Sequence, residues 1–501
     1  MQGCSGSPRA VIGGGKDGLT TAGNYCFMGA MKKQRTGRPA DKTDDNKGVK
    51  LKPGQLFEAI VSELNEDGDA LVRHEGKTVR VTGALPGETV QARITFAGFR
   101  ETRATTVKVL RHARSRLLSP PCPKLGQCDG CPLMLMNYPA QLAWKRDMVT
   151  REVRRQPALQ ETVVHALLPS PRPLQYRNSA KLVVAGKFND PVIGIYKRGS
   201  HDVLDIGDCP LHLPLINTIV AAVKAGIRKG KVPIWSPRSE TGLLRYLVVR
   251  VAEATNSAMV VFVTAERSYN EIHHLAKFVQ AAVPEVTVVA QNVNGSAGNV
   301  ILGPRDNFIT KATAIVDSIG EVKFAISPRS FFQVNGGGAR LIYEQVRSFS
   351  NLSGAERVLD LYCGVGGISL FLAGSAGSVL GIEVVEAAVA DAAKNARLNG
   401  IANCSFEAGD ATELLDGLRE DGERFDLIVL NPPRKGCDEP VLQAAAAIAP
   451  ATMIYVSCSP RSLARDLEIL ARLGYRTAEI QPVDMFPQTP HVENVALLRR
   501  Q

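Results

Sequence analysis

The stretch Val358–Ala373, "VLDLYCGVGGISLFLA", decides the fold. A short apolar run ends in Asp360, a turn follows with Gly364, Gly366 and Gly367, and a helical pattern resumes. A buried strand that ends in an acid and turns tightly into a helix reads as the opening unit of a doubly wound α/β sheet. Glycine in the turn lets the backbone approach a ligand closely. The turn is neither G-x-G-x-x-G nor a P-loop, since no Gly-Lys-Ser/Thr follows.

The same rhythm continues on the C-terminal side. "SVLGIEVV" is followed by the helical "EAAVADAAKNARLNG"; "CSFEAGD", "FDLIVLN" and "MIYVSC" are further strands, and "HVENVALLRR" is the last. Residues 326–501 are therefore expected to form a Rossmann-like parallel sheet with its ligand crevice at the carboxyl ends of the strands. Glu383 ends the second strand, where a ribose diol is usually held, and Asp410 ends the third. Two acids and a glycine turn without a phosphate cradle point to an adenosine ligand lacking phosphates, S-adenosylmethionine. Cys363, inside the turn, reads as small filler.

Upstream the pattern changes twice. Residues 51–112 hold "QLFEAIVSEL", "DALVRHEG", "KTVRVTGAL", "ETVQARITFAG" and "TRATTVKVLRHA", five short strands separated by turn signals. That predicts a small barrel of oligonucleotide-binding type. Residues 113–325 mix strands and helices without repeats and read as a central α+β domain. Residues 1–50 are Gly/Ser-rich and then basic, and are expected to be a disordered tail. Met31 opens a plausible basic start, so residues 1–30 are expected to be an upstream translation artefact.

The chain has 501 residues and a net charge of +11, which favours polyanionic partners. Seven basic residues and one acid, Glu101, lie between Arg93 and Arg116, on the last two barrel strands and their exit. No run of about 18 apolar residues is present, so no membrane partner is expected. No export signal is legible, which implies a reducing, cytoplasmic setting where cysteines serve as ligands, nucleophiles or core. No heptad repeat argues for an oligomer, and a monomer is expected.

Two cysteine features carry chemistry. Cys122, Cys128 and Cys131 have the spacing C-x5-C-x2-C, with Cys209 as a distant fourth; four thiolates hold either zinc or an iron–sulfur cluster. Cys458 ends a strand just before Ser459-Pro460, which suit the cap and first turn of a helix. A thiol at a helix N-terminus is expected to have its pKa drawn from about 8.5 toward neutral. Glu493 opens the final strand after "FPQTPH". Taken singly, each of these two residues has a bland reading as strand-end filler or surface carboxylate.

Together these residues resemble the RNA (uracil-5-)-methyltransferases, in particular the type that modifies 23S ribosomal RNA and carries a TRAM domain and a [4Fe–4S] cluster. The resemblance runs from about residue 51 to 501. It rests on the cysteine set, "YRNSAKL", "SPRSFFQVN", "LDLYCGVGG", "NPPRKG", "YVSCSP" with "LARD", and "FPQTPHVENVALL". It implies that Cys458 is the nucleophile toward C6 of uracil and Glu493 the base that removes the C5 proton. It implies cofactor contacts by Gln333, Asp360, Gly364, Glu383, Asp410 and Asn431, and cluster ligation by Cys122, Cys128, Cys131 and Cys209. RNA is the implied partner, 23S ribosomal RNA rather than DNA. Asn431 stands where many members have Asp, and Ser459 where Asn or Asp is commoner. Asn-Pro-Pro is also the motif of amino-methyltransferases, which leaves an amino-group target as the alternative. A non-catalytic RNA-binding assembly factor is the other.

Overall fold

The computed structural model describes residues 51–501 except 198, 199, 297 and 299. The expected disordered tail and alternative start at Met31 lie outside the described residues.

The first sheet holds Leu56–Ile60, Glu63–Leu64, Ala70–His74, Lys77–Thr82, Thr89–Ala97 and Thr102–Arg111. The five expected strands are present, and the two-residue strand Glu63–Leu64 makes a sixth. In space they run first, fifth, sixth, fourth, third, second. Alternation along each strand sends Phe57, Val72, Val79, Val81, Val90 and Ile94 into one core. At the exit the buried Glu88 carboxylate accepts from Arg116 Nε at 2.5 Å and from the Leu85 amide at 2.8 Å. These bonds fix the direction in which the chain leaves for the cysteine-rich loop.

A second, seven-stranded sheet is built around Leu244–Ala252, flanked by Ser179–Lys187 and Ser257–Thr264. Helices Pro214–Gly230 and Asn270–Ala282 cover one face. Ile216, Ile219, Val220, Val223 and Ile227 recur at helical spacing and bury against Leu247, Val249 and Val251. The opposite face, with Tyr246, Val248, Met259 and Val261, packs into the same core as Phe324, Val358 and Ile368. The central domain and the C-terminal sheet therefore share apolar surface.

The third sheet has eight strands. In space they run Cys404–Ala408, Ser378–Glu383, Arg357–Leu361, Leu427–Leu430, Thr452–Ser457, Glu493–Arg500, Tyr475–Val483 and Val163–Val164. The first five are parallel, as the alternation predicts. The last strand is not: Glu493–Arg500 inserts antiparallel between Thr452–Ser457 and Tyr475–Val483. The strand Tyr475–Val483 is unanticipated, because Glu479, Gln481 and Pro482 interrupt its apolar pattern.

The segment from Tyr138 to Leu168 lies before the boundary at 326 but packs with the third sheet. Helix Tyr138–Arg154 and Val163–Val164 contribute Met148, Val149, Val153 and Val164 to the core that holds Leu463, Leu467 and Ile480. Polar contacts reinforce the seam. Lys145 Nζ, fully buried, donates to Asp484 Oδ1 at 2.5 Å and to the Phe486 carbonyl at 3.0 Å. Gln141 and Gln488 bond reciprocally: Gln141 Nε2 donates to Gln488 Oε1 at 2.8 Å, and the Gln488 amide donates to Gln141 Oε1 at 3.0 Å. Among the described residues no helix is long and apolar enough to cross a membrane.

Asp484→Ala strands the Lys145 ammonium in a dry environment, and urea unfolding of that variant is expected to show a loss of about 3–5 kcal/mol. A double variant that replaces both partners with apolar residues is expected to recover most of it. Equal losses in the single and double variants would show that the charge is not what the pair contributes.

Candidate active site

Strand register places the two candidate reactive groups. Thr452–Ser457 and Glu493–Arg500 pair antiparallel, with Val456 opposite Val495 and Ser457 opposite Asn494. Cys458 and Glu493 follow directly on the last pair of that ladder, and the Glu493 carboxylate is close enough to act on the thiol electrostatically. Asn494 Nδ2 donates to the Ser457 carbonyl at 3.2 Å and locks the register at its end. Cys458 then passes into helix Pro460–Arg472, where Ser459 accepts from the Ser462 amide as the expected cap.

That helix also fastens the "NPPRKG" loop beside the thiol. Ser462 Oγ donates to the Arg434 carbonyl at 3.1 Å, and Arg465 Nη2 donates to the Lys435 carbonyl at 2.9 Å. The buried Asp466 carboxylate accepts from the Cys437 amide at 2.8 Å and from the Tyr455 hydroxyl. Gly436 has φ +80, and a Cβ there would collide with Asp466 and Arg465, so only glycine permits this path. The result is that Arg434 is aimed at Cys458, to which it hydrogen-bonds.

The electrostatics reverse one expectation. Burial pushes the Cys458 thiol up to about 11, the Glu493 carboxylate adds to the rise, and Arg434 draws it back only in part. The helix N-terminus does not bring the thiol toward neutral, because desolvation and a facing carboxylate outweigh its positive end. Burial likewise raises the Glu493 carboxyl to about 8, against the pull of Arg434. His491 stands 3.5 Å from Arg434; burial, with Arg434 next, holds it down at about 4, so its ring is neutral. Near pH 7 the unliganded site thus holds a thiol, a mostly protonated carboxyl and one guanidinium.

Gln333, Asp360, Gly364 and Asn431 line one pocket, together with Phe331 and Tyr343. Gly364 has φ +56, and a Cβ there would meet nothing, so its open side faces free space. Glu383 bridges the turn, accepting from the Gly364 amide at 3.1 Å and the Val385 amide at 3.0 Å. Asp360 accepts from Ser369 Oγ at 2.5 Å through one oxygen; its other oxygen is buried without a partner, and burial raises the carboxyl to about 7. An orphaned acceptor in a pocket wall suits an incoming cationic donor, such as the amino group of S-adenosylmethionine. Asp410 stands apart from this lining. Its carboxylate caps helix Ala411–Glu420 through the Thr412 and Glu413 amides. Sequence reasoning assigned no role to Arg434 or to Tyr343, which hydrogen-bonds Gln333. Cys363 is buried against Gly381, as filler.

The cysteine set gathers at one place. Cys122, Cys131 and Cys209 belong to one small cluster with Met134, Tyr176 and Leu211, and Cys128 and Cys131 sense Cys122 and Cys209 electrostatically. All four are free thiols. Cys128 Sγ accepts from the Gly130 amide at 3.4 Å, and Cys209 accepts from the Leu211 and His212 amides. Such N–H donors to sulfur suit thiolate ligands. Among the described residues no three His, Cys, Asp or Glu side chains close to metal-binding geometry. The four thiols are neighbours of the right chemical type, but they do not stand in metal-binding geometry.

Fold and pocket define an S-adenosylmethionine-dependent methyltransferase. A family model described as tRNA (Uracil-5-)-methyltransferase matches residues 252–501, and a TRAM domain model matches residues 50–107. A protein of Geobacter sulfurreducens named an uncharacterized RNA methyltransferase is 62% identical over 451 residues, 90% of this chain and 91% of that one. One of Halalkalibacterium halodurans, similarly named, is 37% identical, with 88% and 96% covered. Among solved structures, the Pyrococcus abyssi tRNA (uracil-54, C5)-methyltransferase in complex with S-adenosyl-L-homocysteine superposes with a TM-score of 0.71 at 28% identity, over 88% of this chain and 100% of that one. The chain belongs to the RNA (uracil-5-)-methyltransferase family.

The charge arrangement has a direct readout. Glu493→Gln removes the carboxylate facing Cys458 and is expected to lower the thiol pKa, so that iodoacetamide labels Cys458 faster at a fixed pH near 8. Arg434→Gln is expected to slow labelling. The same rate in all three proteins, read by peptide mass across a pH series, would contradict the facing arrangement.

Proposed function

We propose that this protein methylates C5 of a uridine in RNA, with 23S ribosomal RNA as the substrate, through a covalent bond from Cys458 to C6. The observation that carries the reading is the electrostatic proximity of Cys458, Glu493 and Arg434 just beyond the ladder's last pair, Ser457 and Asn494. C5 of uracil is a weak nucleophile. Addition of the Cys458 sulfur to C6 converts the ring to an enolate, whose C5 attacks the sulfonium methyl. Arg434 favours the thiolate at the moment of attack. Glu493 then takes the C5 proton, the C6–S bond breaks, and the double bond re-forms with the thiolate released. A base with its pKa raised to about 8 is a stronger proton acceptor than an ordinary carboxylate once deprotonated.

The target base leaves its stack to reach this crevice. Asn431, in the pocket wall, both donates and accepts, and so pairs with uracil N3–H or O4. Gln333, Asp360, Gly364 and Glu383 hold the cofactor. The TRAM domain grips RNA, and its basic exit strands support a large folded RNA as substrate. Cys122, Cys128, Cys131 and Cys209 hold a [4Fe–4S] cluster, which would brace the loop Cys122–Cys131 against Cys209; the methyl transfer itself needs no electrons. We take the enzyme to act as a cytoplasmic monomer.

RNA carrying 5-fluorouridine has no C5 proton to lose. With S-adenosylmethionine it is expected to trap a protein–RNA adduct on a denaturing gel, absent in Cys458→Ala. Glu493→Gln is expected to accumulate the adduct even on ordinary RNA. Methyl transfer that persists in Cys458→Ala, without any adduct, would move the target to an amino group held by Asn431.

Protein purified without oxygen is expected to carry about four iron and four sulfide per chain, lost in Cys209→Ser. Stoichiometric zinc without sulfide would reject the cluster.

A further inference from the structure

Among the described residues, no carboxylate forms an ion pair with Arg250 or Lys181 on the central sheet. Arg250 lies on strand Leu244–Ala252 and is only 8% exposed. Its Nη2 donates to the Pro328 carbonyl at 3.3 Å, and its Nε has no hydrogen-bond partner. On the neighbouring strand Lys181 pairs with Val248, and Ser179 pairs with Arg250. Lys181 and Arg250 are therefore diagonal neighbours on one face of the sheet. That face holds Val248 and Met259 and looks toward the methyltransferase sheet. Burial lowers Arg250 to about 10; burial and then Arg250 lower Lys181. No carboxylate contributes to either shift. The nearby Arg329 is itself matched, by Asp306 at 3.1 Å.

The niche borders the reaction site. Pro328 opens the segment 327–335 that carries Phe331 and Gln333 to the cofactor pocket. Asn178, adjacent to Ser179, donates its side-chain amide to the Gln333 carbonyl at 3.0 Å and its backbone amide to the Val334 carbonyl at 2.9 Å. Lys181 is partly desolvated by its surroundings yet keeps exposed surface, so the niche has an opening to solvent on its side, and Phe331 beside the pocket is 67% exposed.

A guanidinium taken out of water next to a second cation is costly unless an anion completes it. Holding a single carbonyl at 3.3 Å would require only a neutral donor. A planar fork with an idle N–H beside a partly exposed lysine ammonium matches the oxygens of a phosphodiester. We propose that Arg250 and Lys181 form a subsite for an RNA backbone phosphate at the rim of the catalytic crevice, next to the nucleotide whose base enters it. The proposal rests on RNA being the substrate. It assigns these two residues to holding the strand rather than to the chemistry. The carboxylate of S-adenosylmethionine is the competing anion, but the niche opens outward at Lys181, the side from which RNA must arrive.

The test uses the full chain and a single-stranded fragment of ribosomal RNA, with affinity measured over a salt series. Wild type is expected to show a steep salt dependence. Lys181→Ala is expected to bind several-fold more weakly, with the slope of log K against log salt reduced by about 0.7, the value for one lost phosphate contact on a single strand. Its affinity for S-adenosylmethionine is expected to stay unchanged. Arg250→Met is expected to show the same loss while its melting temperature without RNA is no lower than wild type, since an uncompensated buried charge has been removed. Inorganic phosphate is expected to raise the melting temperature of wild type more than that of either variant.

An unchanged salt slope in Lys181→Ala overturns the subsite, even if Arg250→Met fails to fold. A fall in S-adenosylmethionine affinity with RNA binding intact overturns it in favour of the cofactor carboxylate. Wild type that binds no RNA at all would instead remove the functional reading on which the subsite rests.

Discussion

Everything in the site depends on one antiparallel ladder. Strands Thr452–Ser457 and Glu493–Arg500 come from opposite sides of a helix and a further strand, yet their pairing ends at Ser457 and Asn494, one residue short of Cys458 and Glu493, and so brings the two groups near each other. A strand's side chains alternate between faces, so a slip of one residue would carry Glu493 away from Cys458 and exchange Val495 and Leu497, fitted to one core, for Ala496 and Leu498, fitted to the core on the other side. Apolar burial therefore enforces the catalytic geometry. The core selects the register, and the register delivers the reactive pair without any dedicated contact between the two groups.

Within that frame, charge is held in reserve. A thiol raised to about 11 and a carboxyl raised to about 8 share one guanidinium. Each acid makes ionisation of the other harder, and Arg434 makes both easier. On the proposed mechanism, such a site keeps Cys458 protonated until a ring bound against Arg434 and Asn431 changes the balance at the point of attack. The loop that positions Arg434 is secured by Ser462, Arg465 and Asp466, all downstream of the cysteine on one helix. Cys458, which leads into that helix, and Arg434, on the loop fastened to it, are thus held by one element.

The sequence exposed some of this and hid the rest for physical reasons. Most of the parallel strands were legible because they are apolar runs bounded by turn residues, and the positions of Asp360 and Glu383 at the last residues of two strands and of Gly364 in the turn between strand and helix were legible from the same pattern. The strand Tyr475–Val483 was masked by Glu479, Gln481 and Pro482, which its neighbours Glu493–Arg500 and Val163–Val164 accommodate. Asp410 looked like a ligand-facing acid, but its spacing to Glu413 is also that of a helix cap, and the cap is what its carboxylate serves. The thiol pKa depends on how much water is excluded and which charges face it. Neither is local in sequence, so a helix N-terminus at Cys458 pointed the wrong way. Arg434 was in view within "NPPRKG", but its target becomes visible only when the helix beyond Cys458 folds back over the loop.

The reciprocal bonds between Gln141 and Gln488 join residues 347 positions apart. With Lys145 and Asp484 they tie the segment before Glu493 to a helix from the first third of the chain. Closing so long a loop is slow, because its entropy must be spent before the contact rewards it. The methyltransferase half is consequently not a detachable catalytic cassette. Cut at residue 326, it would present Asp484 and Gln488 to water where a lysine and an amide belong, and the approach to the last strand would lose its template. The placement of Glu493 beside Cys458 therefore leans on contacts between parts of the chain far apart in sequence.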